Sequence, residues 1–210
     1  MTLANDYDTD LAGRSYSRLY REESAIAFSA IDCVLNAAKG VYASSELTTG
    51  TRAYARLREH GFRSMHELDD AGKHALLGTN IDAAAAFARQ LRERLPHHAL
   101  VITPGPFVAP GWTQAEYLTF WETLIRTRVH AVYFNAGWEY SNGCTFEFAV
   151  AREQGLPTFD AALRPLAAAD GCACIAHAVA DLAARGFDPH RLQLNLDRAR
   201  RAEAARPGPG

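Results

Sequence analysis

His130-Ala131-Val132-Tyr133-Phe134-Asn135-Ala136-Gly137-Trp138-Glu139-Tyr140-Ser141-Asn142-Gly143-Cys144-Thr145-Phe146-Glu147, continuing to Pro157, is the stretch on which the fold turns. Val129 to Phe134 is an apolar run of strand length, and Asn135 to Cys144 is a polar turn holding two glycines. Thr145 to Gln154 is helix-like, and Gly155 with Pro157 marks its end. A buried strand, a ligand-sized turn and a helix in that order form the repeating unit of a parallel α/β sheet.

Upstream the same unit recurs. Asn80 or Asp82 is placed to cap a helix in which Ile81, Ala84, Ala85, Phe87, Ala88, Leu91 and Leu95 form one stripe, with Arg89, Arg92 and Glu93 outside it. Pro96 stops that helix, and Ala99 to Thr103 follows as a continuous apolar strand of the kind covered on both faces. After the rigid turn from Pro104 to Gly111, a helix beginning near Thr113 puts Leu118, Trp121, Leu124 and Ile125 on its inner side. Val41-Tyr42-Ala43 is a further short strand, opening into the polar loop from Ser44 to Gly50. Residues 51 to 78 are helical in composition, and Gly61 and Gly72 divide them into two short pieces or an insertion. From Tyr16 to Ala38 the spacing of Leu19, Ala25, Ile26, Ile31, Val34 and Leu35 gives one or two helices, stopped by Gly40. Thr158-Phe159 adds a last short strand, and residues 173 to 185 a helix ended by Gly186. The expected fold is α/β: a Rossmann-like (flavodoxin-like) parallel sheet with helices on both faces and extra helices at the N- and C-terminal ends. One domain is expected over residues 16–197, between a flexible start (1–15) and a flexible tail (198–210) that turns Pro/Gly-rich.

With 210 residues, 48% apolar and 22% charged, the chain can bury a core that needs no metal or disulfide. Its net charge of -2 gives no electrostatic case for nucleic acid or a membrane surface as partner. A small anion needs only one local positive pocket, so nucleotides stay within reach. Cys33, Cys144, Cys172 and Cys174 are too sparse for a disulfide framework, and the polar, acidic start is no signal peptide, so a cytosolic location is expected. Gly105, Gly111 and Gly137 form neither a dinucleotide fingerprint nor a P-loop, and no cofactor is expected.

In such a sheet, ligands bind beyond the carboxyl ends of the strands, where the polar residues of this chain collect. Glu147 falls in or near the first helical turn after the loop, where unpaired N–H groups would keep it ionised, and Ser141 with its neighbours could hold a phosphate. An ionised carboxylate there can attack an anomeric carbon. Acidic residues also stabilise helix starts without any chemistry, so both readings stand. Cys144 is better read as a small packing residue than as a nucleophile, because no histidine is near it in sequence. Cys172, Cys174 and His177 lack a fourth zinc ligand, and His97-His98 read as surface polarity at a helix end.

Ser141-Asn142-Gly143-Cys144-Thr145-Phe146-Glu147, set between the strand at 131–134 and the helix at 149–157, resembles the S-x-G-x-x-x-E signature of the nucleoside 2-deoxyribosyltransferase-like superfamily, which includes deoxynucleoside monophosphate N-glycosidases. The resemblance puts Glu147 on the nucleophilic glutamate and Ser141 and Gly143 on phosphate-binding positions. More loosely, Val41 to Arg52 is similar to the first strand and its substrate loop, with Tyr42 and Ser44 against substrate and Arg52 as a phosphate partner. The family's small Gly-Pro turn after that strand is absent here. The resemblance implies cleavage of an N-glycosidic bond in a nucleoside or nucleoside 5′-monophosphate, by hydrolysis or glycosyl transfer, in a homo-oligomer whose sites are completed by a neighbouring subunit. Glu139 is a candidate proton donor, and Phe107, Trp138 and Tyr140 are candidates to stack on the base or close the site. Trp138 fits a core position equally well, and Glu139 a solvated one. A non-catalytic nucleotide sensor and an NAD glycohydrolase are the alternatives.

Overall fold

The computed structural model describes residues 7–9, 15–96 and 99–206, so His97, His98 and most of the expected flexible start lie outside the described residues, as does the tail beyond 206. A short antiparallel ribbon, β1 (Tyr7–Thr9) with β2 (Ser15–Ser17), leads into α1 (Arg18–Leu35). The chain then runs through β3 (Gly40–Ser44), α2 (Thr51–Glu59), α3 (Asp70–Arg94), β4 (Val101–Ile102), α4 (Gln114–Arg128) and β5 (Val129–Phe134). It ends with α5 (Asn142–Gln154), β6 (Thr158–Phe159), α6 (Ala168–Ala184) and α7 (His190–Ala204).

The four strands β3 to β6 form one parallel sheet in the order β4-β3-β5-β6, flanked by helices on both faces. This is the Rossmann-like, flavodoxin-like arrangement, with the extra helices at either end. From β3 the chain first builds outward to β4, then crosses back to place β5 on the other side. The carboxyl ends of β3 and β5, aligned at Ser44 and Phe134, therefore flank the topological switch point.

Alternation along the strands divides the core. Val41, Ala43, Ala131 and Tyr133 face Phe87 and Leu91 of α3, while Tyr42, Val132 and Phe134 join the larger cluster with Trp121, Leu124 and Phe148. Helix α4 starts on a capping box, in which Thr113 and Glu116 satisfy each other's backbone N–H groups. Helix α5 starts on Ser141 and ends at Gly155, whose φ of 68° is the left-handed cap that glycine adopts at little cost.

Several elements differ from the sequence expectation. Residues 70–94 form one helix that passes through Gly72 and Gly78. Asp69 caps it by accepting the Gly72 N–H, so the glycine sits in the first turn, where its flexibility does least harm, and Asn80 is a buried interior residue rather than a cap. The strand expected over 99–103 pairs only at Val101 and Ile102, as a half-buried edge. On α1 the buried residues are Tyr20, Ser24 and Leu35, while Leu19, Ile26 and Val34 are exposed. Helix α5 begins three residues earlier than expected, at Asn142.

The segment from Arg198, expected to fray, remains helical to Ala204, because Leu192, Leu196 and Ala199 give α7 an apolar stripe that is fully buried. Arg198 itself pairs with Glu122 at 2.7 Å and Glu153 at 2.6 Å, and lies over the Phe146 ring at 4.8 Å. Arg126 joins the same two carboxylates, and the guanidinium groups hold both below the usual carboxylate range against the opposing effect of burial. Arg198→Ala is expected to lower stability by about 1–2 kcal/mol, through lost packing as well as lost charge, and less so in high salt. Urea denaturation at two salt concentrations checks this.

Among the described residues no helix is long and apolar enough to cross a membrane.

Candidate active site

Tyr42 and Ser44 lie two residues apart on β3, so both side chains leave the same face of the strand at its carboxyl end. They meet Glu147 there. The Tyr42 hydroxyl donates to Oε1 at 2.8 Å and the Ser44 hydroxyl donates to Oε2 at 2.5 Å, so each carboxylate oxygen has its own donor. Glu147 is 6% exposed, and Tyr42 and Ser44 are fully buried. Behind Tyr42 stands Trp121 of α4, with ring centroids 5.9 Å apart.

Glu147 is the sixth residue of α5, in the second turn, beyond the unpaired N–H groups of the helix start. The expectation that the helix end keeps it ionised is therefore corrected. Burial raises its pKa from 4.5 to about 7, and the hydrogen bonds from Ser44 and Tyr42 offset only part of that rise. Near neutral pH both protonation states are populated. Burial also pushes the Tyr42 phenol well above its usual value, with the Glu147 charge adding to it, so Tyr42 stays protonated and a donor. Cys144 is 1% exposed, and burial followed by the Glu147 charge moves its thiol far upward, which suits packing and not nucleophilic attack.

The remaining candidates separate. Ser141 caps α5, its hydroxyl accepting the Cys144 N–H at 3.4 Å, and Gly143 follows in the first turn, where an added Cβ would meet only Ser141 Oγ at 3.9 Å. Arg52 lies across the β3–α2 loop, with Nη1 2.7 Å from Glu46 Oε1 and 3.3 Å from Asn80 Oδ1. Trp138 is 5% exposed and packs on Phe134 and Phe148 at 4.6 and 5.0 Å, so it is a core ring and not a lid over the site. Phe107 stacks on Phe120 at 4.8 Å and meets Trp121 edge-on at 5.3 Å, so it reaches Tyr42 only through Trp121. Tyr140 donates to Asp181 of α6 at 3.0 Å. Glu139 lines a cleft of about 340 Å³ beyond β5 and β6, together with Asn135, Gly137, Asp160 and Arg164, and Glu147 is not part of its walls.

Glu46 was not among the residues singled out in the sequence. It is 3% exposed and accepts from the Thr51 N–H at 2.7 Å and the Thr51 hydroxyl at 3.1 Å, besides pairing with Arg52. A lone acid between Ser45 and Leu47, six residues before an arginine, was the only signal of it. Two hydroxyls just past the ends of β3 and β4, Ser45 Oγ and Thr103 Oγ1, are buried without a hydrogen-bond partner among the described residues. No group of three or more His, Cys, Asp or Glu side chains among the described residues is placed to hold a metal ion.

No protein-family model matches the chain, and neither the curated proteins nor the solved structures give a match.

Proposed function

We propose that this protein cleaves the N-glycosidic bond of a nucleoside or nucleotide, with Glu147 acting at C1′. The observation that carries this is the placement of one buried carboxylate, held by a hydroxyl on each oxygen, beside the switch point between β3 and β5. The resemblance of Ser141 to Glu147 to the nucleoside 2-deoxyribosyltransferase-like signature supports the same reaction. Assembly with copies of itself belongs to that resemblance.

In the proposed reaction a Glu147 oxygen forms a bond to C1′ as the C1′–N bond breaks. The bonding pair leaves with the base, which takes a proton from water or a nearby acid. Water, or a second base, then displaces the carboxylate from C1′ and restores it. Tyr42 and Ser44 fix the aim of the carboxylate, and the low-dielectric surroundings leave it poorly solvated and therefore more reactive.

A mixed pool of nucleosides, nucleotides and NAD, scored by mass spectrometry for free base, tests the proposal. Release of a base that is lost in Glu147→Gln supports it; release from NAD alone points to an NAD glycohydrolase. Tight binding of one compound with no turnover would make the protein a sensor.

Attack needs the ionised carboxylate, so activity should rise as pH increases through about 7. Tyr42→Phe removes a hydrogen bond that favours the ionised form. The midpoint of its pH–rate profile is expected to move to higher pH by roughly one unit, with a smaller rate on the plateau. An unmoved midpoint would show that Tyr42 does not tune Glu147.

A further inference from the structure

We propose that a second copy of this chain covers the outer face of α1, in a two-fold dimer whose α1 helices cross antiparallel at Ala30. Helix α1 precedes every stretch that carries the family resemblance, and the pairing is independent of the N-glycosidic reading.

Ile26 is 69% exposed and Val34 68%, one on either side of the exposed Ala30 along α1. Val108, 71% exposed, extends the apolar surface beyond the helix and shares with Ile26, Phe107, Pro110 and Trp112 a cleft of about 220 Å³. The outward side of a surface helix is ordinarily charged or polar. From Ala25 to Ala38, the exposed residues of α1 and of the turn after it include one charge, Asp32, and the Arg128 guanidinium already holds both its oxygens at 2.7 Å. A continuous exposed apolar surface of this kind marks a contact with another molecule.

The order of residues along the helix identifies the occupant. Residues four apart form the ridges of an α-helix, and the outward ridge of α1 reads Glu22, Ile26, Ala30, Val34, Ala38, all exposed. The adjacent row, Ala25, Ser29, Cys33 and Ala37, is also exposed and consists of small residues, which makes it a shallow groove. A ridge beside a groove is complementary to the same pair on a copy turned end for end. With Ala30 at the two-fold axis, Ile26 of each chain meets Val34 of the other, and the small Ala30 side chain lets the two backbones approach. Burial of the groove strands no hydroxyl, because Ser29 already donates to the Ala25 carbonyl at 2.9 Å.

The charges at the two ends of the face fix the direction. Glu22 closes the ridge at its start, where it meets only the exposed Arg18 one turn away at 2.7 Å, and the exposed Lys39 follows Ala38 at the other end. The antiparallel crossing brings Lys39 of each chain toward Glu22 of the other, whereas a parallel one would set like charges together.

Sedimentation velocity of the full chain across micromolar concentrations tests the pairing, and a species of twice the chain mass is expected. Ile26→Lys changes a solvent-facing side chain, so the fold is retained, and it alters the two-fold interface twice. It is expected to weaken the association by at least about a hundredfold, with an unchanged circular dichroism spectrum. Ala30→Cys, in a chain whose exposed Cys33 and Cys174 are replaced by serine, should form an intermolecular disulfide on mild oxidation, because position 30 meets itself across the axis. A wild-type chain that stays monomeric overturns the inference, as does a dimer that Ile26→Lys leaves intact. An Ile26-dependent dimer in which Ala30→Cys forms no disulfide overturns the crossing at Ala30. A monomer that binds vesicles of neutral phospholipid, and loses that binding in Ile26→Lys, would show that a membrane covers the face and overturns the pairing too.

Discussion

Glu147→Gln is expected to lower the release of free base by about a thousandfold or more and, at pH 8, to make the protein more stable than the wild type. The first effect follows from removing the group that acts at C1′ in the proposed reaction. The second follows from the environment of the carboxyl. In the unfolded chain it titrates near 4.5, whereas in the folded chain burial raises it to about 7, so ionising it is harder once the protein has folded. A raised carboxyl weakens the fold progressively as pH climbs from about 4.5 through about 7, and the full penalty is present above that range. The penalty amounts to at most about 3 kcal/mol, and glutamine, which cannot ionise, is relieved of it. The amide also fits Tyr42 and Ser44 less well than a carboxylate, which takes back part of the gain. The expected net is about 1–2 kcal/mol in favour of the variant at pH 8, shrinking to nothing or reversing at pH 4. Urea denaturation of both proteins at the two pH values checks it. Equal stability at pH 8 would mean that the carboxyl is not desolvated as described.

Gly171→Ala should be the most damaging small substitution outside the site. In an ordinary helix interior the exchange is favourable by about 1 kcal/mol. On α6, however, a Cβ at position 171 would lie 2.2 Å from Phe148 Cζ and 2.5 Å from its Cε2. The Phe148 ring is fully buried against Phe134 and Trp138, with centroids 5.7 and 5.0 Å away, and has little room to withdraw. A net loss of about 2–4 kcal/mol is expected, since overpacking a dense core forces either the ring or the helix to move. Phe148→Leu should recover much of that loss in the double variant while being destabilising alone, a coupling that a double-mutant cycle reads directly. Because Phe148 follows Glu147 in sequence, Gly171→Ala should also lower activity. Additive effects of the two substitutions would show that the ring and the glycine are not in contact.

The parts of the fold that could be read from the sequence were those with a strict apolar period. Val129 to Phe134, the body of α5 and most of the inner side of α4 behave as their residue spacing implies, because burial on a strand or helix face leaves a local trace; on α4 Trp121, Leu124 and Ile125 are buried as expected, but Phe120 is buried where Leu118 was expected. Helix α3 hid behind Gly72 and Gly78, where local propensity opposes a helix that Asp69 and packing on the sheet sustain. Helix α7 was masked by its many arginines, of which Arg198 is absorbed by carboxylates on α4 and α5 that are remote in sequence.

The site divides in the same way. Tyr42 and Ser44 were legible only through the looser resemblance of Val41 to Arg52, and their meeting with Glu147 comes from the parallel pairing of β3 with β5 and the helix that follows it. The ionisation of Glu147 was not, since desolvation depends on what the whole chain brings around it. Aromatic rings such as Trp138 and Phe107 serve a core or a pocket equally well by type, and only their neighbours decide between the two. Glu46 escaped notice because a lone acid in a polar loop reads as solvated until folding closes the Thr51 N–H, the Thr51 hydroxyl and Arg52 around it.

The loop from Ser45 to Thr51, in which Thr51 holds Glu46, Asn80 holds the Leu47 carbonyl, Thr49 accepts from the Asn142 N–H and a Cβ on Gly50 would strike Glu46, has a bearing on how this protein can change over evolutionary time. A loop held by several interlocking hydrogen bonds loses little freedom when a ligand arrives, so the entropy of ordering is settled at folding and not at each binding event. That same interlock makes the loop a poor substrate for gradual change. One substitution at Glu46, Thr49 or Gly50 disturbs the others, and intermediates on the way to a different recognition loop would be less stable than either end point. A different recognition loop therefore requires Glu46, Thr49 and Gly50 to be replaced together.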